Sequence, residues 1–203
     1  MSTKFIRIIF TVMCALLMLG SFASCSNLNE ITSGGNSDGT VTNSDKDSRV
    51  LELFELLQEN EVMPFTITEK AKVMLGENTK LFVENKKDGL EAYTDNSIEY
   101  KMLNKNIAKY GDKLIYLPEA YVVAIYETDL DEETTLTEFQ LVDADENSYY
   151  CFSMCTYENI FEGDIVSAYA LPIGEAAFEN VSGSTTLTIV LAGCCIEEIE
   201  SFE

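Results

Sequence analysis

The sequence predicts a mainly β fold, five strands preceded by two or three short helices. Apolar residues recur at helical spacing as far as Tyr110, and beyond Gly111 the chain becomes rich in β-branched and aromatic residues bounded by turn residues. The order after Gly111 is three strands, one helical turn and two strands. Helices are therefore expected first, and a single sheet after them.

The first 25 residues have the features of an export signal. Lys4 and Arg7 precede an apolar run from Ile8 to Leu19, and Phe22-Ala23-Ser24 stands before Cys25. The run is shorter than the about 20 apolar residues that cross a bilayer. The pattern resembles a bacterial lipoprotein lipobox, which implies cleavage after residue 24 and lipid such as palmitate on Cys25. Cleavage after Ala23, which would release a soluble protein, is the alternative because Phe22 stands where the motif usually has Leu.

Residues 25–47 are rich in Ser, Asn, Gly, Thr and Asp, a composition typical of a disordered tether. Residues 48–97 form the predicted helical part, with a first helix from Ser48. Thr66 to Glu69 has the form of a capping box and starts a second helix that Gly76 ends. A third short helix is expected between Tyr100 and Tyr110, in the final segment 98–203.

The five predicted strands span 114–128, 136–142, 147–155, 164–171 and 185–199. Pro118 favours an edge or a bend in the first strand. Turns are expected at Asp88-Gly89 and 143–146, and one helical turn at 157–161. A loop that holds Pro172, Gly174 and Gly183 separates the last two strands.

This order is that of the OB-fold, a five-stranded Greek-key barrel. Three segments resemble OB-like (tRNA-anti-like) domains of uncharacterised bacterial lipoproteins: Tyr100–Leu114, Glu162-Gly163-Asp164-Ile165-Val166 and Phe178-Glu179-Asn180-Val181-Ser182-Gly183. The resemblance covers about residues 98 to 200. It implies a binding domain but no particular ligand, because OB-folds bind oligonucleotides, oligosaccharides or proteins.

The negative charge of the second half of the chain limits which ligands it can bind. After Lys113 the chain has 19 acidic residues and no basic one. Nucleic acids and anionic membrane surfaces both bind through Lys and Arg, so neither is an expected ligand of this half of the protein. The acid excess is explained either by solubility or by a cationic partner or ion.

The absence of histidine limits the chemistry. It excludes Ser-His-Asp and Cys-His catalysis and the HExxH zinc helix. Carboxylates could still act as acid and base, which keeps an envelope hydrolase as an alternative. No catalytic residue and no cofactor are predicted.

Two acidic segments are candidate cation sites. Asp143, Asp145 and Asn147 match the first ligands of an EF-hand loop, but the match fails later because Ser148 replaces the required Gly and Met154 replaces the bidentate Glu. A hairpin turn is therefore predicted there. The cluster Asp129, Asp131, Glu132 and Glu133 is interpreted as a solvated loop, so no metal site is predicted.

Four cysteines follow Cys25, at positions 151, 155, 194 and 195, and their spacing does not suit zinc. Cys151 and Cys155 on one strand would lie about 13 Å apart, beyond disulfide reach. Cys194 and Cys195 would face opposite sides of a strand. A disulfide must then join the third strand to the fifth, with Cys155 and Cys194 as the candidate pair. Free buried cysteines are the alternative.

Candidate ligand-binding residues lie on the third strand and before the fifth. Alternation puts Tyr149, Cys151 and Ser153 on one face of the strand and Tyr150, Phe152 and Met154 on the other. We expect Tyr149, Ser153 and Phe178 to contact the ligand. A sugar would lack its usual Trp platform, which leaves a protein or peptide as the expected partner.

The predicted function is that of a non-catalytic, lipid-anchored OB-like binding or adaptor protein on the extracytoplasmic face of the cell membrane. A carboxylate-based envelope hydrolase is one alternative. An acidic protein that sequesters cations or cationic peptides is another.

Replacing Cys25 with Ala is expected to move the protein from the membrane to the medium, because the lipid would be its anchor. Fractionation followed by immunodetection measures this. Wild-type protein found in the medium with Ser24 at its N-terminus would contradict the lipid anchor.

Overall fold

A computed structural model describes residues 43–58, 63–130, 134–179 and 185–199, with the backbone alone at 43–48 and 179. The described residues form three α-helices: α1 (Asn43–Leu57), α2 (Glu69–Glu77) and α3 (Tyr100–Asn106). Short 3-10 helices span Thr79–Phe82, Leu90–Ala92 and Ile107–Lys109. The strands are β1 (Ile115–Asp129), β2 (Thr135–Asp143), β3 (Ser148–Ser153), β4 (Ile165–Glu179) and β5 (Thr185–Glu198). The predicted mainly β fold is confirmed.

The helix boundaries differ from those predicted. Helix α1 begins at Asn43, within the segment expected to be a tether, while the signal segment, Cys25 and residues 26–42 lie outside the described residues. The N-cap of α2 is Thr68 and not Thr66, because the Thr68 side chain accepts the Ala71 N–H at 3.4 Å. The helix also continues past Gly76, whose site has room for a side chain.

The predicted helical turn at 157–161 is wrong; the chain makes non-helical turns there. The Tyr157 N–H donates to the Glu127 carboxylate at 3.0 Å, and the Phe161 N–H donates to the Asp164 carboxylate at 2.7 Å. Side chains thus satisfy N–H groups that a helix would leave free in its first turn.

The five strands form a closed ring in the order β1-β2-β3-β5-β4. All pairs are antiparallel except β3 with β5, which are parallel from Tyr149–Ile189 to Phe152–Ala192. Strand β1 pairs with β4 through its first half and with β2 through its second. The bend predicted at Pro118 is confirmed by a break in the β1–β4 register between Leu117 and Ala120, where Pro118 is exposed.

Strand β4 is longer than predicted and includes Pro172 and Gly174, which were expected in a loop. Between them Ile173 is left out of the pairing with β5. Cys194 is left out in the same way, because Gly193 pairs with Ala170 and Cys195 with Tyr169. Each bulge shifts the side-chain alternation by one residue.

The ring encloses one core, and a second core lies outside it. The inner core includes Val122, Phe139, Leu141, Val166 and Leu191, joined by Leu103 and Ile107 from the α3 segment and by Tyr157 and Ile160 after β3. The outer core joins the helices to the outward faces of β3, β4 and β5, and includes Phe54, Leu75, Phe82, Phe152, Leu171 and Val190. We call α1, α2 and the segments around them that join this outer core the helical layer.

The segment before α2 lies directly on β4. The Thr68 N–H donates to the carbonyl of the bulged Ile173 at 2.9 Å. A Cβ atom at Gly174 would lie 2.6 Å from the Thr66 carbonyl oxygen, and one at Gly111 would lie 2.5 Å from Thr68 Oγ1. Two positions without a side chain therefore allow the start of α2 to approach the sheet.

The Gly174→Ala variant is expected to lose about 1–3 kcal/mol of stability, because its methyl group would overlap the Thr66 backbone. Chemical unfolding of the full chain measures this.

Gly76→Ala is the matched control. Its Cβ would meet Leu51 Cδ2 at an ordinary 3.6 Å, and Ala favours a helix, so this variant is expected to gain up to about 0.5 kcal/mol. Equal stability of the two variants would contradict the close approach at Gly174.

Candidate functional site

Two of the three predicted ligand contacts, Tyr149 and Ser153, are buried, with 3% and 1% of their surface exposed. The Tyr149 hydroxyl donates to Asp143 at 3.0 Å, and its ring meets Tyr100 edge-on with centroids 5.4 Å apart. Ser153 Oγ shares a 2.8 Å hydrogen bond with the Tyr157 hydroxyl. Both side chains are turned into the molecule because their face of β3 is the inner one, so they do not form an accessible ligand surface.

The third predicted contact, Phe178, is half-buried and packs against the outer core. Part of the loop after it, residues 180–184, lies outside the described residues. The opposite face of β3 is also covered, since Phe152 stacks on Phe65 of the helical layer with centroids 5.8 Å apart. The alternation predicted along β3 is correct, but most of both faces is occupied by the protein itself.

The four cysteines after Cys25 carry free thiols in the structure. Cys151, Cys194 and Cys195 are buried, which raises the pKa of Cys151 to about 12 and that of Cys195 to about 11. Cys194 and Cys195 both join the outer core, contrary to the predicted opposite faces, because Cys194 is the bulged residue. A bridge between Cys155 and Cys194 in an exported protein stays a prediction.

A buried polar network joins the end of β5 to the loop after β3. The Asn85 side-chain oxygen accepts the Ile196 N–H at 2.8 Å and the Tyr157 hydroxyl at 3.1 Å. Asn85 has a φ of 47°, a conformation that Asn tolerates better than most residues. The network satisfies polar groups at the end of the ring, so we assign it a structural role.

The acidic turns have ordinary structural partners. Asp143 accepts the N–H groups of Asp145 and Asn147 at 3.0 and 2.9 Å, which confirms the predicted hairpin turn. Asp129 accepts the Thr135 hydroxyl at 2.9 Å, and residues 131–133 lie outside the described part of the chain. Within the described residues, no group of three or more Cys, Asp or Glu side chains is arranged to hold a metal ion.

Among the described residues, the outer face of β1 and β2 carries one of the accessible parts of the ring. Tyr126 has 47% of its surface exposed and pairs across the strands with Glu138. Tyr121 is half-buried and pairs with Val142 on one side and with Ile165 on the other. At one end this face adjoins the outer core, to which Leu136 of β2 belongs.

The turn at 161–164 is attached to the edge of this face. The Gly163 N–H donates to the Val122 carbonyl, and the Val122 N–H to the Asp164 carbonyl, both at 2.9 Å. Gly163 has a φ of 102°, which a residue with a side chain rarely adopts. The turn thereby presents Phe161, with 62% of its surface exposed, and Glu162 beside the tyrosines of β1.

Tyrosines and carboxylates alternate across this surface. We name Tyr121, Glu162, Tyr126, Glu138 and Tyr150 the tyrosine–glutamate row. The Tyr150 hydroxyl donates to Glu138 at 2.6 Å. Burial and then the Glu162 carboxylate raise the pKa values of Tyr121 and Tyr126. A Cβ atom at Gly163, next to Glu162, would lie 3.9 Å from the Tyr121 hydroxyl, so the turn lies beside this tyrosine. Glu138 also raises the pKa of Tyr126.

Sequence reasoning missed this row. Its tyrosines are of a residue type that is common in any strand. Glu162 was noted only within the segment from Glu162 to Val166 that resembles OB-like domains. The feature of the sequence that could have indicated the row is the absence of Lys and Arg from all five strands and the loops between them. The carboxylates of the row therefore have no cation from that half of the chain.

The stability of the protein is expected to fall above pH 10, because burial and the carboxylates of Asp143 and Glu138 raise the pKa values of Tyr149 and Tyr150. Below the unfolded pKa of about 10 their contribution is fully present. Above it the unfolded chain loses two protons that the folded protein keeps, so the free energy of unfolding falls by up to about 1.4 kcal/mol per pH unit for each tyrosine.

Urea unfolding between pH 8 and pH 11 measures this slope, and Tyr149→Phe and Tyr150→Phe should each reduce it. A spectrophotometric titration in which all 10 tyrosines of the folded protein ionise near pH 10 would contradict the shifts.

The assignment of a function rests on the geometry of the structure, because comparisons with known proteins found no match. Family models, curated proteins and solved structures give no match to this chain. Among the helices that the structure describes, none is long and apolar enough to span a membrane. The candidate site is therefore the outer face of β1 and β2 with the turn at 161–164.

Proposed function

We propose that this protein is a non-catalytic binding protein, anchored through lipid on Cys25 at the extracytoplasmic face of the membrane, whose ligand is a protein or peptide. We further propose that the ring is an OB-like Greek-key barrel. The strand order β1-β2-β3-β5-β4 and the parallel β3–β5 pair support this assignment, because both match the order expected for that barrel.

The observation that carries the proposal is the exposed aromatic surface of the outer β1–β2 face. The ring interior is filled by the inner core, and the outward faces of β3, β4 and β5 bind the helical layer. Tyr126 and Phe161 remain substantially exposed on a surface that backbone hydrogen bonds hold in place. Aromatic residues are enriched in protein interfaces, where a large ring is buried on binding and a tyrosine hydroxyl keeps a polar partner.

The shape of the protein also favours a macromolecular ligand. A shallow depression among α1, the start of β2 and the end of β3 has a volume of about 10 Å³, and it is lined by Arg49, Val50, Leu53, Val83, Thr134 and Met154. Small-molecule sites usually have about 300–1,000 Å³. The outer β1–β2 face belongs to a sheet, and such a surface suits a partner that covers it from outside.

Electrostatics argues against nucleic acid as that partner. The five strands and their connecting loops contain no Lys or Arg. A phosphate backbone on this face would find no cation to replace its counterions, and the carboxylates of Glu138 and Glu162 would repel it.

A photoreactive amino acid at position 126 tests the proposal in native membranes, because a ligand on this face would lie within reach of it. We expect a discrete cross-linked protein or peptide that is absent when the photoreactive residue replaces Val73, which is 56% exposed on α2. Cross-linking that is the same at both positions, or only at position 73, would contradict the assignment of the face.

A further inference from the structure

The tyrosine–glutamate row carries negative charge that the described strands do not balance. Tyr126 and Glu138 are opposite each other on β1 and β2, and Glu138 also holds the Tyr150 hydroxyl at 2.6 Å. Glu162 is exposed on the adjoining turn. The exposed Tyr126 ring therefore stands on a surface with a carboxylate from the neighbouring strand and another from the turn.

Outside the described residues, the only Lys and Arg are Lys4 and Arg7 of the predicted export signal. Residues 8–42, 59–62, 131–133, 180–184 and 200–203 contain no Lys or Arg, and several of them add acids. The described lysines belong to the part of the chain before β1, where Lys70 pairs with Asp112 and Lys72 with Glu55 and Glu69. A cation that matches the row would therefore come from another molecule.

We infer that the partner of this face presents an arginine-containing basic segment, which binds across the tyrosine–glutamate row. This inference rests on the proposed function and names the chemical class of its partner. A guanidinium group stacks on an aromatic ring and forms paired hydrogen bonds with a carboxylate, and the row offers both kinds of group side by side. The exposed Phe161 ring adds apolar surface for the flanking residues of the segment.

A bound metal ion fits the row less well. Glu138 already accepts a tyrosine hydroxyl, and no three acidic or thiol side chains among the described residues converge on one point. Divalent cations need several oxygen ligands around one centre. A segment with several arginines meets separate carboxylates without requiring them to converge.

The test uses the full chain in detergent and three labelled peptides of equal length, built from Arg-Ser, Lys-Ser and Glu-Ser repeats. Fluorescence anisotropy is expected to show the tightest binding for the Arg-Ser peptide, weaker binding for Lys-Ser and none for Glu-Ser. Binding should weaken as salt rises, because Glu162 is exposed and Glu138 is only half-buried. Equal binding of the Arg-Ser and Lys-Ser peptides would overturn the choice of arginine.

Matched variants test whether the peptide binds at the tyrosine–glutamate row. E138Q/E162Q is expected to weaken Arg-Ser binding about 5–10-fold, through the loss of two charge pairs, and Y126A about 2–5-fold, while Y126F keeps the ring and the affinity. E52Q/E91Q removes the same charge from two exposed positions of the helical layer and should change affinity less than twofold. Thermal unfolding of each variant verifies that it is folded.

Equal losses in E138Q/E162Q and E52Q/E91Q would show that the peptide responds to net charge only, and the inference would be wrong. Cross-linking from position 126 separates this failure from that of the proposed function. If that position still captures a discrete partner and the capture survives E138Q/E162Q, the face binds a protein but not through basic residues. If it captures nothing beyond the Val73 control, the proposed function itself fails.

Discussion

The backbone contact between residues 66–68 and β4 is the constraint on which the surface of this protein depends. Gly174 has no side chain to keep Thr66 away, and the carbonyl of the bulged Ile173 accepts the Thr68 N–H. Together they place the start of α2 against the sheet, and Gly111 allows the same segment to approach from its other side. The helical layer then covers much of the outward faces of β3, β4 and β5, while Tyr126 on β1 remains exposed.

The order of helices and strands could be predicted because it depends on local patterns. Val50 and Phe54 repeat at helical spacing, and the β-branched residues of β1 and β5 form continuous runs. The parallel pairing of β3 with β5 followed from the expected barrel order and is confirmed. The bulges at Ile173 and Cys194 could not be predicted in this way, since each depends on which residue of the neighbouring strand is opposite.

The site was harder to predict than the fold. Alternation along β3 correctly divided its residues into two sets, but periodicity does not say which set faces the interior or which a helix covers. Tyr149 lies inside because its face meets Phe139 and Leu141 in the inner core, and that contact joins two different strands. Tyr126 is accessible because the helical layer packs mainly on other strands. The sequence around Tyr126 does not indicate that arrangement. Glu162 joins the row through the Gly163 turn, about 40 residues after Tyr121.

The position of β5 in the ring has a consequence for how the molecule assembles. β5 comes last along the described chain, yet it lies between β3 and β4 and bonds to both. Before residues 185–198 have been synthesised, β3 and β4 each expose a row of unpaired backbone groups. Such edges can pair with other chains. The pairs that cover the β3 edge join residues 40 positions apart, such as Tyr149 and Ile189, and such long-range pairing is slow. A chain that emerges from its N-terminus onward therefore passes through an open sheet, and Glu175 and Glu179 of β4 supply repulsion between copies during that interval.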